Sequence, residues 1–430
     1  MESVRTDGGW TASTQLPGSA SAYVLGQVSV GPDGNATAVW SGAASGTANW
    51  QLRAARTAWP TTLQLASADV PEKADLKATA GWAPAFTLNR PAVSWTLTFT
   101  DALSGTTQRV LTGTPDADNT IGALWNGRTA SGSYVPNGRY TWQLDAVAEA
   151  GGASVQVGSG HLTVSGGAAV ARDHGGTLGY PDAVGDLLTL NSQGGLTFQL
   201  GKAATGTFSG KITGTGWPTT VKAVPVGDVN GDRCNDVLVR MGNGGLRLYK
   251  PGCDKPLTPN TAYTTVGGTG WNQYDVLTAP GDISGDKRPD FLARNASTGA
   301  VYLYKGTSTG TFGARVKLYD DWRTYKKIVG VGDLDGDGVG DLLAQDKADN
   351  LYRYGGTGKG TFKARVKVFA NWGGSYDVVV GVGDITDDGR ADIVSRDTSG
   401  NLYRNSGDGK GSFGTRVKIG TGFGGYRSLS

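Results

Sequence analysis

The feature that most constrains this chain is a nine-residue acidic block written four times. DVNGDRCND starts at Asp228, DISGDKRPD at Asp282, DLDGDGVGD at Asp333 and DITDDGRAD at Asp384, at intervals of 54, 51 and 51 residues. A regular period of that size belongs to a propeller, a solenoid or an array. Each block runs into an apolar stretch, beginning at Val237, Phe291, Leu342 and Ile393. A second short strand follows, written LRLY, VYLY, LYRY or LYRN. In three periods a turn written TGTF, KGTF or KGSF and a strand ARVK or TRVK come next, and the unit closes on Trp and Tyr. About four hairpin-linked strands per period read as one propeller blade. A solenoid, which stacks shorter and flatter units, ranks second.

A fifth, degraded copy comes first. Residues 178–186 read LGYPDAVGD and keep only Asp182 and Asp186 of the four aspartates, and Trp217 closes this unit. At the other end GFGGYRSLS matches the Trp–Tyr strand, with Phe423 in the Trp slot, and no acidic block follows it. The first unit lacks that strand at its start. Tyr426 to Leu429 is therefore expected to pair into the first blade and close a ring of five, which removes unpaired edges.

So many carboxylates in nine residues repel one another unless something neutralises them. Oxygen ligands at positions 1, 3, 5 and 9 of a tight loop suit Ca²⁺, which takes six to eight hard oxygens in flexible geometry. The expected ligands are Asp228, Asn230, Asp232 and Asp236; Asp282, Ser284, Asp286 and Asp290; Asp333, Asp335, Asp337 and Asp341; and Asp384, Thr386, Asp388 and Asp392. Backbone carbonyls at position 7, from Cys234, Arg288, Val339 and Arg390, complete each set. The first half of the loop resembles an EF-hand. Position 12, however, is Val239, Ala293, Ala344 or Ser395 instead of glutamate, and a strand starts there. Acidic solvated turns are the bland alternative, and four copies at one spacing speak against it. About four calcium ions are expected, bracing hairpins and doing no chemistry. Fewer carboxylates mean weaker binding, so the Asp333 loop should hold its ion longest and the degraded copy should hold none.

This block, GD-x-[DNST]-x-D-x-x-x-D before an apolar strand with a later G-T-F, resembles the FG-GAP (VCBS-like) repeat over roughly residues 172–430. The resemblance implies an integrin-type β-propeller with calcium in its hairpin loops, a family that also includes fungal propeller lectins and accessory domains of secreted bacterial enzymes. Five blades depart from the seven of integrins, so integrin-like partners do not carry over.

Upstream, residues 68–166 alternate as strands. WNGR…SYVPNGRYTWQL resembles the immunoglobulin-like sandwich of flagellar hook-capping (FlgD-type) proteins, a fold used widely as a spacer. Residues 1–67 repeat a Trp-containing segment at Trp10 and Trp59 around a hairpin, VSVGPDGNATAVWS, and read as about one blade of another β-repeat. A lone blade cannot bury its faces, so the native chain is expected to extend upstream or this segment to pack on the sandwich or a partner. The expected architecture is thus all-β: a β-repeat segment (1–67), an Ig-like sandwich (68–166) and a five-bladed calcium-binding propeller (167–430).

Functional classes narrow accordingly. A net charge of +3 without a basic cluster gives no footprint for nucleic acid, and no apolar run is long enough for a membrane-spanning helix. Cys234 and Cys253 fit no zinc spacing and read as a structural disulfide, with a redox or metal pair as the lesser alternative. A disulfide implies an oxidising, extracellular compartment. No G-x-S-x-G, HExxH or P-loop occurs. His161 and His174 read as loop histidines, and apart from Asp320 and Asp321 the closely spaced carboxylates belong to the calcium loops. The expected function is non-catalytic binding of a glycan or an extracellular protein, as a lectin, adhesion or targeting module of a larger secreted assembly. The alternative is a polysaccharide lyase or glycoside hydrolase using a propeller cleft. Candidate ligand residues are Trp217, Trp271, Trp322 and Trp372, whose competing role is core between blades. Arg240, Arg294 and Arg396 recur four residues after the last loop aspartate. They either line a channel or pair with Asp346 and Asp397.

Overall fold

The structure is a computed structural model. It describes residues 5–6, 9–10, 22–30, 36–43 and 50–57, and all residues from 62 onward except 103, 104, 150 and 178. The chain forms two compact units, one of Met1–Val135 with Arg139–Thr163 and one of Pro136–Gly138 with Val164–Ser430. No helix among the described residues is long and apolar enough to cross a membrane.

In the first unit, Ala22–Val30, Ala36–Ala43 and Trp50–Thr57 form a three-stranded antiparallel sheet. The hairpin read from the sequence is present, with Val30 opposite Ala36. Trp59 lies outside the described residues. A five-stranded and a three-stranded sheet follow. The alternation in Ala92–Asp101 points Trp95, Leu97 and Phe99 inward, and the paired strand Gly138–Ala148 adds Tyr140, Trp142 and Leu144. Phe86 of the smaller sheet meets Trp142 of the larger at 5.4 Å between ring centroids, so the two sheets share an aromatic core. Strand Leu65–Asp69 pairs with Ala85–Leu88 of the smaller sheet and straddles the 67/68 boundary read from the sequence.

The second unit contains five four-stranded antiparallel sheets in chain order. Blade 1 is Leu187–Asn191, Leu196–Lys202 and Thr207–Gly214 with Tyr426–Leu429. Blade 2 is Lys222–Gly227, Asp236–Arg240, Leu246–Tyr249 and Tyr263–Gly267. Blade 3 is Tyr274–Gly281, Asp290–Asn295, Val301–Tyr304 and Val316–Tyr319. Blade 4 is Tyr325–Gly332, Asp341–Asp346, Leu351–Tyr354 and Val366–Phe369. Blade 5 is Tyr376–Gly383, Asp392–Asp397, Leu402–Asn405 and Val417–Gly420. The last strand joins the first blade, with Leu429 opposite Thr189 and Ser428 opposite Leu190.

The second strand of each blade is apolar on both faces because both faces are covered. Five apolar clusters result, one at each boundary between neighbouring blades. The cluster between blades 5 and 1 brings Leu187 and Leu429 against Val380, Val382 and Leu402. The innermost strand of each blade also borders a central channel of about 250 Å³.

Candidate functional site

The four acidic loops join the first and second strands of blades 2 to 5 and share one geometry. The position-1 carboxylate accepts from backbone N–H groups within the loop: Asp228 from Gly231 and Arg233, Asp282 from Gly285 and Lys287, Asp333 from Gly336 and Gly338, Asp384 from Asp388 and Gly389, at 2.6–3.2 Å. The position-5 carboxylates of Asp232, Asp286, Asp337 and Asp388 accept from the N–H groups of Cys234, Arg288, Val339 and Arg390. Position 9 is the most enclosed. Asp236, Asp290, Asp341 and Asp392 are almost wholly buried. Each accepts from the position-2 N–H (Val229, Ile283, Leu334, Ile385), and the last three also from Gly306, Gly356 and Gly407 after the third strand. Asp290, Asp341 and Asp392 tie the loop to the segment after the third strand of their own blade. In the degraded copy Asp186 accepts from His174 and Gly201. Burial is the main cause that raises Asp236 to about 7 and Asp341 and Asp392 to about 6.

The glycine-rich turns then lock one blade to the next. Gly360 of blade 4 donates to the Ile283 carbonyl in the blade 3 loop at 2.7 Å, and Gly411 of blade 5 to the Leu334 carbonyl in the blade 4 loop at 3.0 Å. Both glycines have φ near +80° to +90°, where an L side chain is strained. Arg404 of blade 5 donates to the carbonyls of Thr205 and Gly206 in blade 1, at 3.1 and 2.8 Å.

The Asp333 loop fits a hard cation best. Oxygens of Asp333, Asp335 and Asp341 lie within 4.8 Å of one another, and Asp335 Oδ1 is buried without a partner. That donor set is the chemistry Ca²⁺ takes. Two of the protein's own cations also sit there: Arg353 pairs with Asp335 and approaches Asp341 at 3.5 Å, and Lys363 holds Asp337 at 2.7 Å. The loop with a carboxylate at every ligand position is therefore also neutralised by two of the chain's own cations, against one, Arg288, in the Asp282 loop, which works against a ranking by carboxylate count alone. Cys234 at position 7 of the first loop is disulfide-bonded to Cys253.

Arg240, Arg294 and Arg396 do not pair with Asp346 or Asp397. Each donates across a boundary to two backbone carbonyls of the following Trp–Tyr or Phe–Tyr segment. Arg294 reaches Trp322 and Tyr325 at 3.0 and 2.6 Å, Arg396 reaches Phe423 and Tyr426 at 2.9 Å each, and Arg240 reaches Trp271 and Tyr274 at 3.5 and 2.6 Å. Asp275 and Asp377, the residues after Tyr274 and Tyr376, complete ion pairs with Arg294 and Arg396. Asp346 and Asp397 instead cap their own turns through Asn350 and Asn401. The arginines are staples between blades. Trp217, Trp271 and Trp322 are buried in the boundary clusters, as core.

Trp372 is different: it is partly exposed. At three boundaries a tyrosine closes the space beside the corresponding tryptophan, and Tyr249 stands 5.1 Å from Trp217. Tyr304 stands 5.0 Å from Trp271 and its hydroxyl meets that of Tyr274 at 3.0 Å, while Tyr354 stands 4.7 Å from Trp322 and its hydroxyl meets that of Tyr325 at 2.6 Å. The register opposite the second strand puts Tyr249, Tyr304, Tyr354 and Asn405 at one position. Asn405 thus replaces the ring between blades 4 and 5. Its amide nitrogen donates to Gly414 at 2.9 Å, and its Oδ1 is buried with no partner. Gln199, at the same register in blade 1, is one methylene longer and reaches Thr189 and the Tyr426 hydroxyl. The result beside Asn405 is a pocket of about 510 Å³ lined by Phe369, Trp372, Tyr376, Phe413, Arg416 and the Gly373–Ser375 backbone among others. Arg416 donates to the Tyr376 hydroxyl at 3.1 Å and lies over the Tyr403 ring. The staple is also reduced here, because Gln345 occupies the arginine position and reaches only the Trp372 carbonyl among those two. The sequence carried this signal in LYRN against LYRY.

Residues 282–344 match the family model of the FG-GAP-like repeat, a stretch running from the first aspartate of the blade 3 loop into the second strand of blade 4. The resemblance read from the acidic block is shown there. No curated protein matches the chain by sequence. Among solved structures, the symmetrical protein of "The de novo evolutionary emergence of a symmetrical protein is shaped by folding constraints" is 12% identical, with a TM-score of 0.40, over 57% of this chain and 98% of that one. The BP39L lectin from Burkholderia pseudomallei is 11% identical, with a TM-score of 0.38, over 77% of this chain and 99% of the lectin. AofleA from Arthrobotrys oligospora is 10% identical, with a TM-score of 0.34, over 83% and 90%. Likenesses at this level carry no argument about ligands.

Proposed function

We propose that this chain is a secreted, non-catalytic binding protein whose calcium-stabilised propeller recognises a glycan in the pocket between blades 4 and 5. The observation that carries this reading is the loss of the filling tyrosine at Asn405. A protein that needed only a closed ring would keep the ring packed there, as blades 2 to 4 do. The vacated space joins aromatic faces, which suit the C–H faces of a sugar ring, to an amide and a guanidinium, which suit its hydroxyls. The disulfide supports an extracellular setting, and the Asp333 donor set supports bound calcium. A lyase or hydrolase reading needs paired carboxyl groups across a cleft, and no aspartate or glutamate lines this pocket.

The test is a glycan array with the wild-type chain and Asn405→Tyr, with and without EDTA. The tyrosine restores what three other blades carry, so it should fill the pocket and leave the fold intact. Wild-type binding that disappears in Asn405→Tyr at an unchanged melting temperature supports the proposal. Equal binding by both proteins refutes the pocket, and release of cleaved polysaccharide supports the enzyme.

A further inference from the structure

The central channel has a charge pattern that the ring does not need. Its wall is mainly aliphatic, with Val224, Leu277, Ile328 and Val380 among the residues of the innermost strands. Six residues before the first loop aspartate, blades 3 and 5 place Val276 and Val378 in this wall, whereas blades 2 and 4 place Lys222 and Lys327 at the same level. Packing therefore accepts valine here. Lys222 donates to the Asp275 carbonyl at 2.9 Å, and neither lysine has an ion-pair partner among the described residues. The neighbouring carboxylates, Asp275 and Asp377, are already held by Arg294 and Arg396. Arg172 also lines the channel. It adopts a left-handed backbone at φ +72°, and its Nε and Nη2 are buried with no hydrogen-bond acceptor. Burial and then the charge of Arg240 push Lys222 down to about 8, and burial and then Lys326 lower Lys327. Asp275 acts on Lys222, Asp349 and Asp377 on Lys327, and Asp186 on Arg172, but among the described residues none of the three cations forms an ion pair. In the channel wall they outnumber its one side-chain carboxylate, Asp377.

We propose that the channel binds an aliphatic carboxylate, its hydrocarbon chain along the apolar wall and its head group at the level of Lys222 and Lys327. An apolar wall rejects a sugar, and the excess of cations rejects an amine. Four residues of extended strand span roughly 13 Å, which matches a medium-length chain. This site is separate from the pocket between blades 4 and 5, and the proposal stands or falls without it.

The experiment is calorimetric titration of the full chain with sodium octanoate, octan-1-ol and octylammonium chloride, repeated on Lys222→Val, Lys327→Val and the double variant. Octanoate should bind one to one. Octanol should bind about tenfold or more weakly, the magnitude expected when a charge-assisted interaction is lost, and octylammonium should not bind. The double variant should lose about tenfold or more in octanoate affinity while melting as the wild type does, since valine already occupies this position in two blades. Absence of octanoate binding to the wild type overturns the proposal. So does octanol binding as tightly as octanoate, or a folded double variant that binds octanoate unchanged.

Discussion

Replacing Arg294 by methionine tests whether the recurrent arginines hold the ring together. The side chain is nearly buried and donates four hydrogen bonds at once: to the Trp322 and Tyr325 carbonyls at 3.0 and 2.6 Å, and to both carboxylate oxygens of Asp275 at 3.1 and 2.7 Å. The Trp322 carbonyl also accepts from the Tyr325 N–H at 3.1 Å, so it keeps one bond. The Tyr325 carbonyl loses a charge-assisted donor, worth ~1.5–3 kcal/mol, and the second bond to Trp322 adds about 1 kcal/mol. Asp275 is 42% exposed, so its pair contributes no more than about 1 kcal/mol. The expected loss is about 2.5–5 kcal/mol, a fall of roughly 10 °C in melting temperature for a unit of this size. Arg294→Gln should lose about half as much, because Gln345 fills the same position in blade 4 and still holds the Trp372 carbonyl. Urea and thermal unfolding, read by tryptophan fluorescence, measure both variants, and glycan binding is followed alongside. A methionine variant within about 1 kcal/mol of wild type, or one that loses glycan binding while keeping its stability, would refute the staple.

Two further perturbations act on the acidic loops and the disulfide. In calcium-free protein, Asp341 is raised to about 6 from 3.8 by burial and then by the charge of Asp335. Its native state therefore binds the proton more tightly than the unfolded state does, and its contribution to stability is present below pH 4 and lost as pH rises through 6. The size is about 3 kcal/mol. Chelated protein should thus melt higher at pH 5 than at pH 8, and added calcium should raise the pH 8 melting temperature most; the same pH trend with and without calcium counts against a metal in these loops. The Cys234–Cys253 bond joins cysteines 19 positions apart, so its reduction should cost about 3 kcal/mol and lower the urea midpoint of the propeller, and an unmoved midpoint would show that the cross-link adds nothing.

Much of the second unit was legible because its information is local and periodic. The spacing of Asp228, Asp282, Asp333 and Asp384 marked the blades, and the orphan strand at Tyr426 marked where the last segment pairs. What lay beyond reach were contacts between residues some thirty positions apart in neighbouring repeats. Arg294 and Arg396 recur visibly, but they bind backbone carbonyls of the next segment, which leave no trace in side-chain identity, and their carboxylate partners Asp275 and Asp377 lie upstream on the neighbouring strand. The position-9 aspartates read as ligands from charge and spacing alone, while the structure shows that Asp290, Asp341 and Asp392 anchor Gly306, Gly356 and Gly407. Asn405 was visible as a departure from the repeat. Its meaning depends on the volume of the missing ring beside Trp372, and only packing supplies that. Lys222 and Lys327 could be aligned with Val276 and Val378, but nothing in the sequence says that this position faces an enclosed space.

The pairing of Leu429 with Thr189 joins residues separated by 240 positions. Bringing such distant ends together costs roughly 5 kcal/mol in chain entropy beyond a constant term. The four intervening sheets, once formed, shorten the gap between them. A ribosome releasing this polypeptide from its N-terminus leaves Leu187–Asn191 with a bare hydrogen-bonding flank until Tyr426–Leu429 emerges. In the second unit alone, linking Leu429 directly ahead of Leu187 and opening the chain between blades 2 and 3 would make that junction local in sequence and should hasten assembly.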